Sequence, residues 1–162
     1  MYKFLFSFLL LISILFVFPR NEQTPSRSLL VKFRVAENLF REAERLAELA
    51  GDNSQLLQKS DNRYMNALMK FNALLSEAKS SGFDSLAFFI SIRCGYIHHL
   101  FDSSSAALEN YRLALSLKKR LPAIVDSFLF SPLLFTGGIY YNQNDYDSAL
   151  YYYKKAEEIS ER

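Results

Sequence analysis

Cysteine is almost missing from this chain of 162 residues, because Cys94 is the only one and no internal disulfide bond can form. Glycine and proline are scarce as well, at 5 and 4 residues, which excludes a collagen-like or low-complexity chain. Neither sign of charge dominates, since 19 basic residues stand against 17 acidic ones. The densest basic run, residues 118–120, lies where a helix is predicted to end. We therefore expect a domain held by apolar packing that does not bind nucleic acid.

Apolar side chains are abundant, at 50% of the sequence, and they are concentrated near the start. Residues 4–18 read FLFSFLLLISILFVF and follow a short basic start. As a helix this run would be about 22 Å long, shorter than the roughly 30 Å hydrocarbon core of a bilayer. The pattern favours a cleaved signal peptide, although no small-residue cleavage site follows it; an uncleaved membrane anchor and a soluble buried helix are the alternatives.

This segment predicts an exported protein, either periplasmic or anchored to the cytoplasmic membrane and facing the periplasm. Residues 1–19 would be the signal peptide or anchor, and membrane contact would be confined to residues 4–18. Residues 20–28 are polar, contain Pro25 and are predicted to form a tether. The folded domain would then occupy residues 29–162.

The last part of the sequence, residues 84–162, repeats itself at a spacing of 42 residues. Gly95 and Gly137 are separated by this distance, and further pairs at the same offset match small with small or large with large side chains. Those pairs are Ala107 and Ala149, Leu108 and Leu150, Tyr111 and Tyr153, Ala114 and Ala156, and Leu117 and Ile159. The matches indicate two copies of one structural unit, over residues 84–121 and 122–162.

Each copy is predicted to fold as a helix, a short polar turn and an antiparallel helix. Ala149, Tyr153 and Ala156 lie at i, i+4 and i+7, which is one face of the second helix. A glycine inside a helix costs roughly 1 kcal/mol relative to alanine, so Gly137 indicates a close approach of the partner helix. We expect Gly137 to meet Ala149 or Ala156, with Tyr140 and Tyr153 filling the wider space beside them.

Coarse helix boundaries follow from the same pattern, and no stretch has the alternation of a strand. The predicted helices span residues 28–50, 55–80, 84–100, 104–120, 122–143 and 146–161. Pro132 is expected to kink or break the fifth helix. A new helix that begins there, with Ser131 as its cap, is the alternative.

These residues resemble the tetratricopeptide repeat, in the long variant with units of 42 residues. The matching positions in the last copy are Gly137, Tyr140, Asp145, Tyr146, Ala149, Tyr153 and Ala156, and in the copy before it Gly95, Ala107, Tyr111 and Ala114. Weaker second-helix faces precede them, at Ala36, Phe40 and Ala43 and at Ala67, Phe71 and Leu74, with Gly51 and Gly82 at the helix ends. The resemblance implies an all-α, right-handed superhelical solenoid of antiparallel helix pairs.

In the resembled family, the first helix of each unit lines a concave groove that binds peptides or protein segments. The corresponding residues here are Phe89, Ile92, Tyr96 and His99 in the middle copy and Leu134, Gly138, Tyr141 and Asn142 in the last. The Lys and Asn with which some members clamp a terminal carboxylate are missing at these positions. The groove would therefore prefer apolar or aromatic ligands, and the alternative is that these residues pack within the solenoid.

The resemblance thus implies a non-catalytic scaffold or adaptor that binds a protein or peptide. It also extends to the extracytoplasmic repeat regions of bacterial sensor kinases and membrane-bound regulators. A sensory input region is therefore the alternative function.

Cys94, His98 and Asp102 lie at i, i+4 and i+8, a spacing that could align three metal ligands. The repeat register instead places Cys94 and His98 in the core and Asp102 in a turn. His98 and His99 could also suggest acid–base catalysis, but no nucleophile motif, phosphate loop or HExxH sequence accompanies them. We expect no catalytic residue, no metal and no cofactor.

Overall fold

A computed structural model describes residues 25–161, and these residues form helices and turns without a strand. The prediction of an all-α fold is confirmed at this level. The helices are α1 (Arg27–Ala50), α2 (Ser54–Ser80), α3 (Asp84–Leu100), α4 (Ser104–Lys118), a 3-10 helix (Asp126–Leu129), α5 (Phe130–Asn142) and α6 (Tyr146–Ser160). The predicted signal or anchor segment lies outside the described residues. Among the described helices, none is long and apolar enough to cross a membrane.

The chain divides into two compact units between Phe83 and Asp84. The first contains α1 and α2, and the second contains the remaining helices. The predicted tether lies outside the described residues over 20–24, and its last two residues, 27 and 28, belong to α1, which begins at Arg27 with the Ser26 hydroxyl accepting a hydrogen bond from the Leu29 amide at 3.2 Å. That the two units make up one repeat domain over residues 29–162 stays a prediction.

The first unit is a hairpin of two antiparallel helices with a seam of coiled-coil type. Buried residues alternate at spacings of three and four along both helices, which gives each helix one apolar stripe. They are Leu29, Phe33, Ala36, Phe40, Ala43 and Ala50 on α1, and Ser60, Tyr64, Ala67, Phe71, Leu74 and Ala78 on α2. The Phe40 ring lies 5.5 Å from that of Tyr64, and the Phe33 ring lies 6.0 Å from that of Phe71.

This pairing corrects one part of the repeat assignment. The stripes around Phe40 and Phe71 are predicted to be the second-helix faces of two separate units. In the structure they face each other across a single hairpin, with their ring centroids 6.5 Å apart. The reason is that α1 and α2 are long helices joined by a short turn at Gly51, so each supplies the other's apolar partner.

The second unit consists of two hairpins, α3 with α4 and α5 with α6, and a tyrosine ring packs on a glycine in each. A methyl group added to Gly95 would lie 2.5 Å from Cε1 of Tyr111, and one added to Gly137 would lie 2.7 Å from Cδ1 of Tyr153. The expected close approach at Gly137 is therefore present, but the nearest group is the Tyr153 ring rather than the expected alanine. The alanines of the second helices, Ala107, Ala114, Ala149 and Ala156, are buried as well, and Ala107 shares a cluster with Tyr111.

Three helices end in the same hydrogen-bonded turn, in which a residue with positive φ follows the last helical turn. The positive-φ residues are Gly82 (73°), Asp102 (53°) and Asn144 (62°). The closing bonds run from Phe83 N to Ala78 O at 2.9 Å, from Ser103 N to His98 O at 2.8 Å, and from Asp145 N to Tyr140 O at 3.0 Å. The closing bonds and the positive-φ positions of the two hairpin turns thus coincide at the 42-residue offset, and the expected role of Gly82 at a helix end is confirmed.

The predicted fifth helix is wrong over its first part. Residues 119–125 form turns, the 3-10 helix follows, and α5 begins only at Phe130. Pro132 falls in the first turn of α5, where its missing N–H costs no helical hydrogen bond. The alternative of a new helix is therefore closer to the structure than a kink, although the residue at the cap position is Leu129 and not Ser131.

The connection before α5 is anchored in the second unit. Leu121 and Ile124 are buried, and the Phe128 ring stands edge-on to Phe89 with centroids 5.1 Å apart. Arg120 binds the carboxylate of Asp84 through two nitrogens, Nε and one Nη, each at 3.0 Å. These contacts fix the position at which α5 starts.

Candidate protein-binding surface

Phe135 on α5 joins the two hairpins of the second unit. Its ring centroid lies 5.7 Å from that of Tyr96 and 4.7 Å from that of His99, both on α3. It also stacks on Tyr111 of α4 at 6.4 Å, with the two rings inclined by 18°. The first helices of the two hairpins are therefore held side by side through one aromatic ring.

On α5, the predicted groove residues form an accessible stripe. Leu134 and Tyr141 are 40% and 56% exposed, Asn142 is exposed and Gly138 is half-buried between them. The Tyr153 hydroxyl would lie 3.7 Å from a methyl group at Gly138, so the backbone there is shielded only by the tip of that side chain. Leu134, Gly138 and Tyr141 are spaced i, i+4 and i+7 and share one face of the helix.

On α3, three of the four predicted groove residues lie at the surface. Ile92, Tyr96 and His99 are half-buried, with the same i, i+4 and i+7 spacing as the stripe on α5. Phe89 is placed differently, because only 2% of it is exposed and its ring packs between those of Phe88 and Phe128. Phe89 therefore belongs to the core of this unit, since the 3-10 helix covers it.

We call the accessible residues on these two helices the α3/α5 face. It consists of Ile92, Tyr96, His99, Leu134, Gly138, Tyr141 and Asn142. It carries no aspartate, glutamate, lysine or arginine. Burial lowers the pKa of His99 below its ordinary value of 6.5, an effect that the nearby Asp102 carboxylate opposes, so the neutral imidazole predominates at pH 7. The face is thus apolar and aromatic, with hydrogen-bonding groups but no formal charge at this pH.

The far end of the α5–α6 hairpin adds more exposed tyrosines. Tyr141 and Tyr146 meet edge to face with centroids 5.5 Å apart, and Tyr146 donates a hydrogen bond from its hydroxyl to Asn144 Oδ1 at 3.0 Å. Tyrosines with an exposed ring and a polar tip are common at binding interfaces, because they bury a large apolar area while the hydroxyl keeps a partner.

A second aromatic cluster links α4 to the last hairpin. Tyr140 stacks on Tyr152 with centroids 5.5 Å apart and the rings inclined by 9°. An Nη nitrogen of Arg112 donates to the Tyr140 hydroxyl at 2.6 Å. Burial, together with nearby Tyr140, raises the pKa of Tyr152. Tyr140, which was predicted to fill the space beside Gly137, thus also connects neighbouring hairpins.

The candidate metal ligands are placed in different environments. Cys94 is fully buried, and burial raises the pKa of its thiol to about 12, so the thiolate that a metal would need is disfavoured. His98 is half-buried, and Asp102 is exposed in the turn after α3. Within residues 25–161, no group of three or more His, Cys, Asp or Glu side chains is arranged to hold a metal ion.

Sequence reasoning did not single out Phe135 or Arg112. Phe135 lies four residues before Ile139, so a search for apolar pairs at i and i+4 on the first helix would have found it. Arg112 gave no such signal, because an arginine on a helix surface is ordinary, and only the folded hairpins bring it to Tyr140.

Comparison with known proteins neither supports nor contradicts the repeat assignment made from the sequence. No family model, no curated protein and no solved structure matches the chain. The tetratricopeptide assignment therefore stays a prediction that depends on the residues named above.

Proposed function

We propose that this protein is a non-catalytic scaffold or adaptor whose α3/α5 face binds an apolar or aromatic segment of another protein. The observation that carries the proposal is the accessible stripe of Leu134, Gly138 and Tyr141, held beside the α3 stripe by Phe135. Phe135 itself is half-buried, so its contacts with α3 hold the face in place while the stripe stays open to a ligand.

The chemistry of the face determines the kind of ligand. Without formal charges, binding would depend on burial of apolar area and on a few hydrogen bonds from Tyr96, Tyr141 and Asn142. Screening by salt weakens interactions between exposed charges and leaves apolar contacts largely intact. Affinity for the ligand is therefore expected to change little between low and high ionic strength.

We also propose that the protein acts outside the cytoplasm, because residues 4–18 have the composition of a signal peptide or anchor. The stripes of small residues support membership of the tetratricopeptide family, in which repeats of this kind bind peptides. Both statements come from the sequence, and the surface chemistry of the second unit is compatible with them.

Site-specific cross-linking in cells tests the binding function. A photo-reactive phenylalanine derivative replaces Tyr141, which is 56% exposed, and a second variant carries it at Met69 on α2, which is 66% exposed. We expect one or a few discrete adducts from position 141 that are missing from position 69. Leu134→Asp added to the position-141 variant should remove them. Identical adduct patterns from the two positions, or none from position 141, would contradict the proposal.

A further inference from the structure

Two leucines at equivalent positions of the two hairpins differ greatly in exposure. Leu108 on α4 is 7% exposed, whereas Leu150 on α6, at the same position 42 residues later, is 53% exposed. Leu108 is covered because it clusters with Ile139 of α5, and Phe135 and Tyr140 pack against the same cluster. Leu108 on α4 is therefore covered by side chains of α5. Among the described residues, no side chain covers Leu150 on α6 in the same way.

The polar contacts of α4 and α6 differ in the same way at equivalent positions. Arg112 on α4 donates a hydrogen bond to the Tyr140 hydroxyl on α5 at 2.6 Å. The equivalent residue on α6 is Lys154, which is exposed and carries the same charge. Tyr151, next to Leu150, is 58% exposed, and its counterpart on α4, Glu109, is exposed as well, so Tyr151 lies at the edge of the region that a covering helix would occupy. An apolar pair and a cation are thus presented together on the outer side of α6.

We propose that this outer side of α6, formed by Leu150, Tyr151 and Lys154, binds an amphipathic helix of another protein. The helix that covers the equivalent part of α4 is α5, and its residues indicate the pattern that a ligand helix would need. It presents Phe135, Ile139 and Tyr140 to α4, which is an aromatic, an aliphatic and a hydrogen-bond acceptor at i, i+4 and i+5. A ligand with this pattern would place its aliphatic residue on Leu150 and its acceptor near Lys154.

The site is separate from the α3/α5 face and does not depend on the proposed function. It lies on α6, whereas the α3/α5 face consists of residues of α3 and α5. Helix-in-groove recognition commonly uses apolar anchors on one helical face, such as the i and i+4 pair here, and charged groups at the interface help to fix the register.

The test uses a labelled peptide of residues 126–145, which carries the α5 pattern, and measures its fluorescence anisotropy with the full-length chain. We expect saturable binding that is weakened at least about tenfold by Leu150→Asp, because a carboxylate would be buried against the ligand helix. Lys154→Glu should weaken binding by about threefold or more, through loss of the hydrogen bond and reversal of charge. Leu49→Asp is the matched control, since Leu49 is an exposed leucine on α1 and its replacement should leave binding unchanged. Circular dichroism confirms that each variant keeps its helices.

Four results would overturn the inference. Binding that Leu150→Asp leaves unchanged would mean that the peptide had displaced α5 from its own place on α4. Equal binding of a peptide with Ile139→Asp would show that the α5 pattern is not recognised. Absence of saturable binding would exclude a ligand helix of this pattern. If the chain instead self-associates without binding the peptide, and Leu150→Asp abolishes this self-association, the surface binds a second copy of the chain. Leu134→Asp should not affect this assay, so failure here and failure of the α3/α5 face are distinguishable.

Discussion

At the scale of single residues, the contact between a glycine and a tyrosine ring determines how closely the two helices of each hairpin approach. The contact occurs twice, between Gly95 and Tyr111 and between Gly137 and Tyr153. The two differ in burial, because Tyr111 is enclosed by the core and Tyr153 is half-buried. A ring at the surface can move away from an added methyl group, and an enclosed ring cannot.

Gly95→Ala is therefore expected to destabilise the protein more than Gly137→Ala does. The methyl group at position 95 would overlap the fixed Tyr111 ring, which should cost about 1–3 kcal/mol, partly offset by about 1 kcal/mol from the helix propensity of alanine. At position 137 the methyl group would also meet the Tyr153 ring, at 2.7 Å from Cδ1, but this half-buried ring can turn toward solvent, so the loss of stability should be smaller. Urea unfolding followed by circular dichroism measures both, and equal effects of the two substitutions would contradict this account.

Tyr111→Phe is expected to leave the protein as stable as it is or to stabilise it. The Tyr111 hydroxyl is buried and has no hydrogen-bond partner among the described residues, and burial raises the pKa of the phenol. A buried polar group without a partner costs about 1–3 kcal/mol, and phenylalanine keeps the ring on Gly95 without that cost. Tyr140→Phe is the control, because it removes a hydroxyl that Arg112 binds. A clear loss of stability in Tyr111→Phe would show that the hydroxyl has a partner.

At the scale of helices and turns, hairpin geometry depends on turns that place one residue in the left-handed region. Sequence alone located five of the six helices to within two residues, because apolar spacing and turn-forming residues agree at their ends. The prediction was wrong at residues 122–129. Apolar residues such as Ile124 and Phe128 continue a helical spacing there, but the helix begins only at Phe130, with Pro132 in its first turn. The prediction also failed to pair α1 with α2, because a heptad stripe does not state which helix it faces.

Substitutions at Asp102 test the turn. Asp102 has a φ of 53°, where alanine is strained by its Cβ and glycine is not. We expect Asp102→Gly to be about 1 kcal/mol more stable than Asp102→Ala in thermal or urea unfolding. At Glu109, an exposed residue inside α4, the order should reverse, with alanine about 1 kcal/mol better than glycine. The same order at both positions would mean that Asp102 does not adopt the left-handed conformation.

Part of the candidate binding surface could be predicted from the sequence, because helical spacing determines which residues share a face. The 42-residue repeat placed Leu134, Gly138 and Tyr141 on one helical face, and the structure leaves that face accessible. Phe89 could not be predicted correctly, because its burial is caused by Phe128, a residue of the connecting segment that has no counterpart in a simple helix pair.

At the scale of the whole molecule, stability should depend on pH through the two histidines of α3. Burial lowers the pKa of both His98 and His99 below the ordinary value of 6.5, against the weaker opposing effects of Glu109 and Asp102. The folded protein therefore binds protons less readily than the unfolded chain. The stability that the neutral imidazoles contribute is complete above pH 6.5 and is lost as the pH falls through the lowered values.

We accordingly expect the free energy of unfolding to be lower at pH 5.5 than at pH 7.5, a window that lies above the ordinary carboxylate range. The variant His98→Gln/His99→Gln should have a smaller difference between the two pH values, even if it is less stable at both because the contact of His99 with Phe135 is altered. Urea titrations at the two pH values measure this. A pH dependence of the same size in the variant would assign the effect to other groups.

The central claim is that an uncharged, apolar face on α3 and α5 binds a protein segment, and the affinity of that face for its cross-linked partner segment tests it most directly. The dissociation constant is measured at 0.1 M and 1 M NaCl for the wild type, for Leu134→Asp and for Leu57→Asp, a control leucine of similar exposure on α2. We predict that Leu134→Asp weakens binding by at least about tenfold, that Leu57→Asp leaves it unchanged, and that salt changes it by less than about threefold. Equal affinity of the two variants, or a steep loss of affinity in 1 M NaCl, would contradict the account.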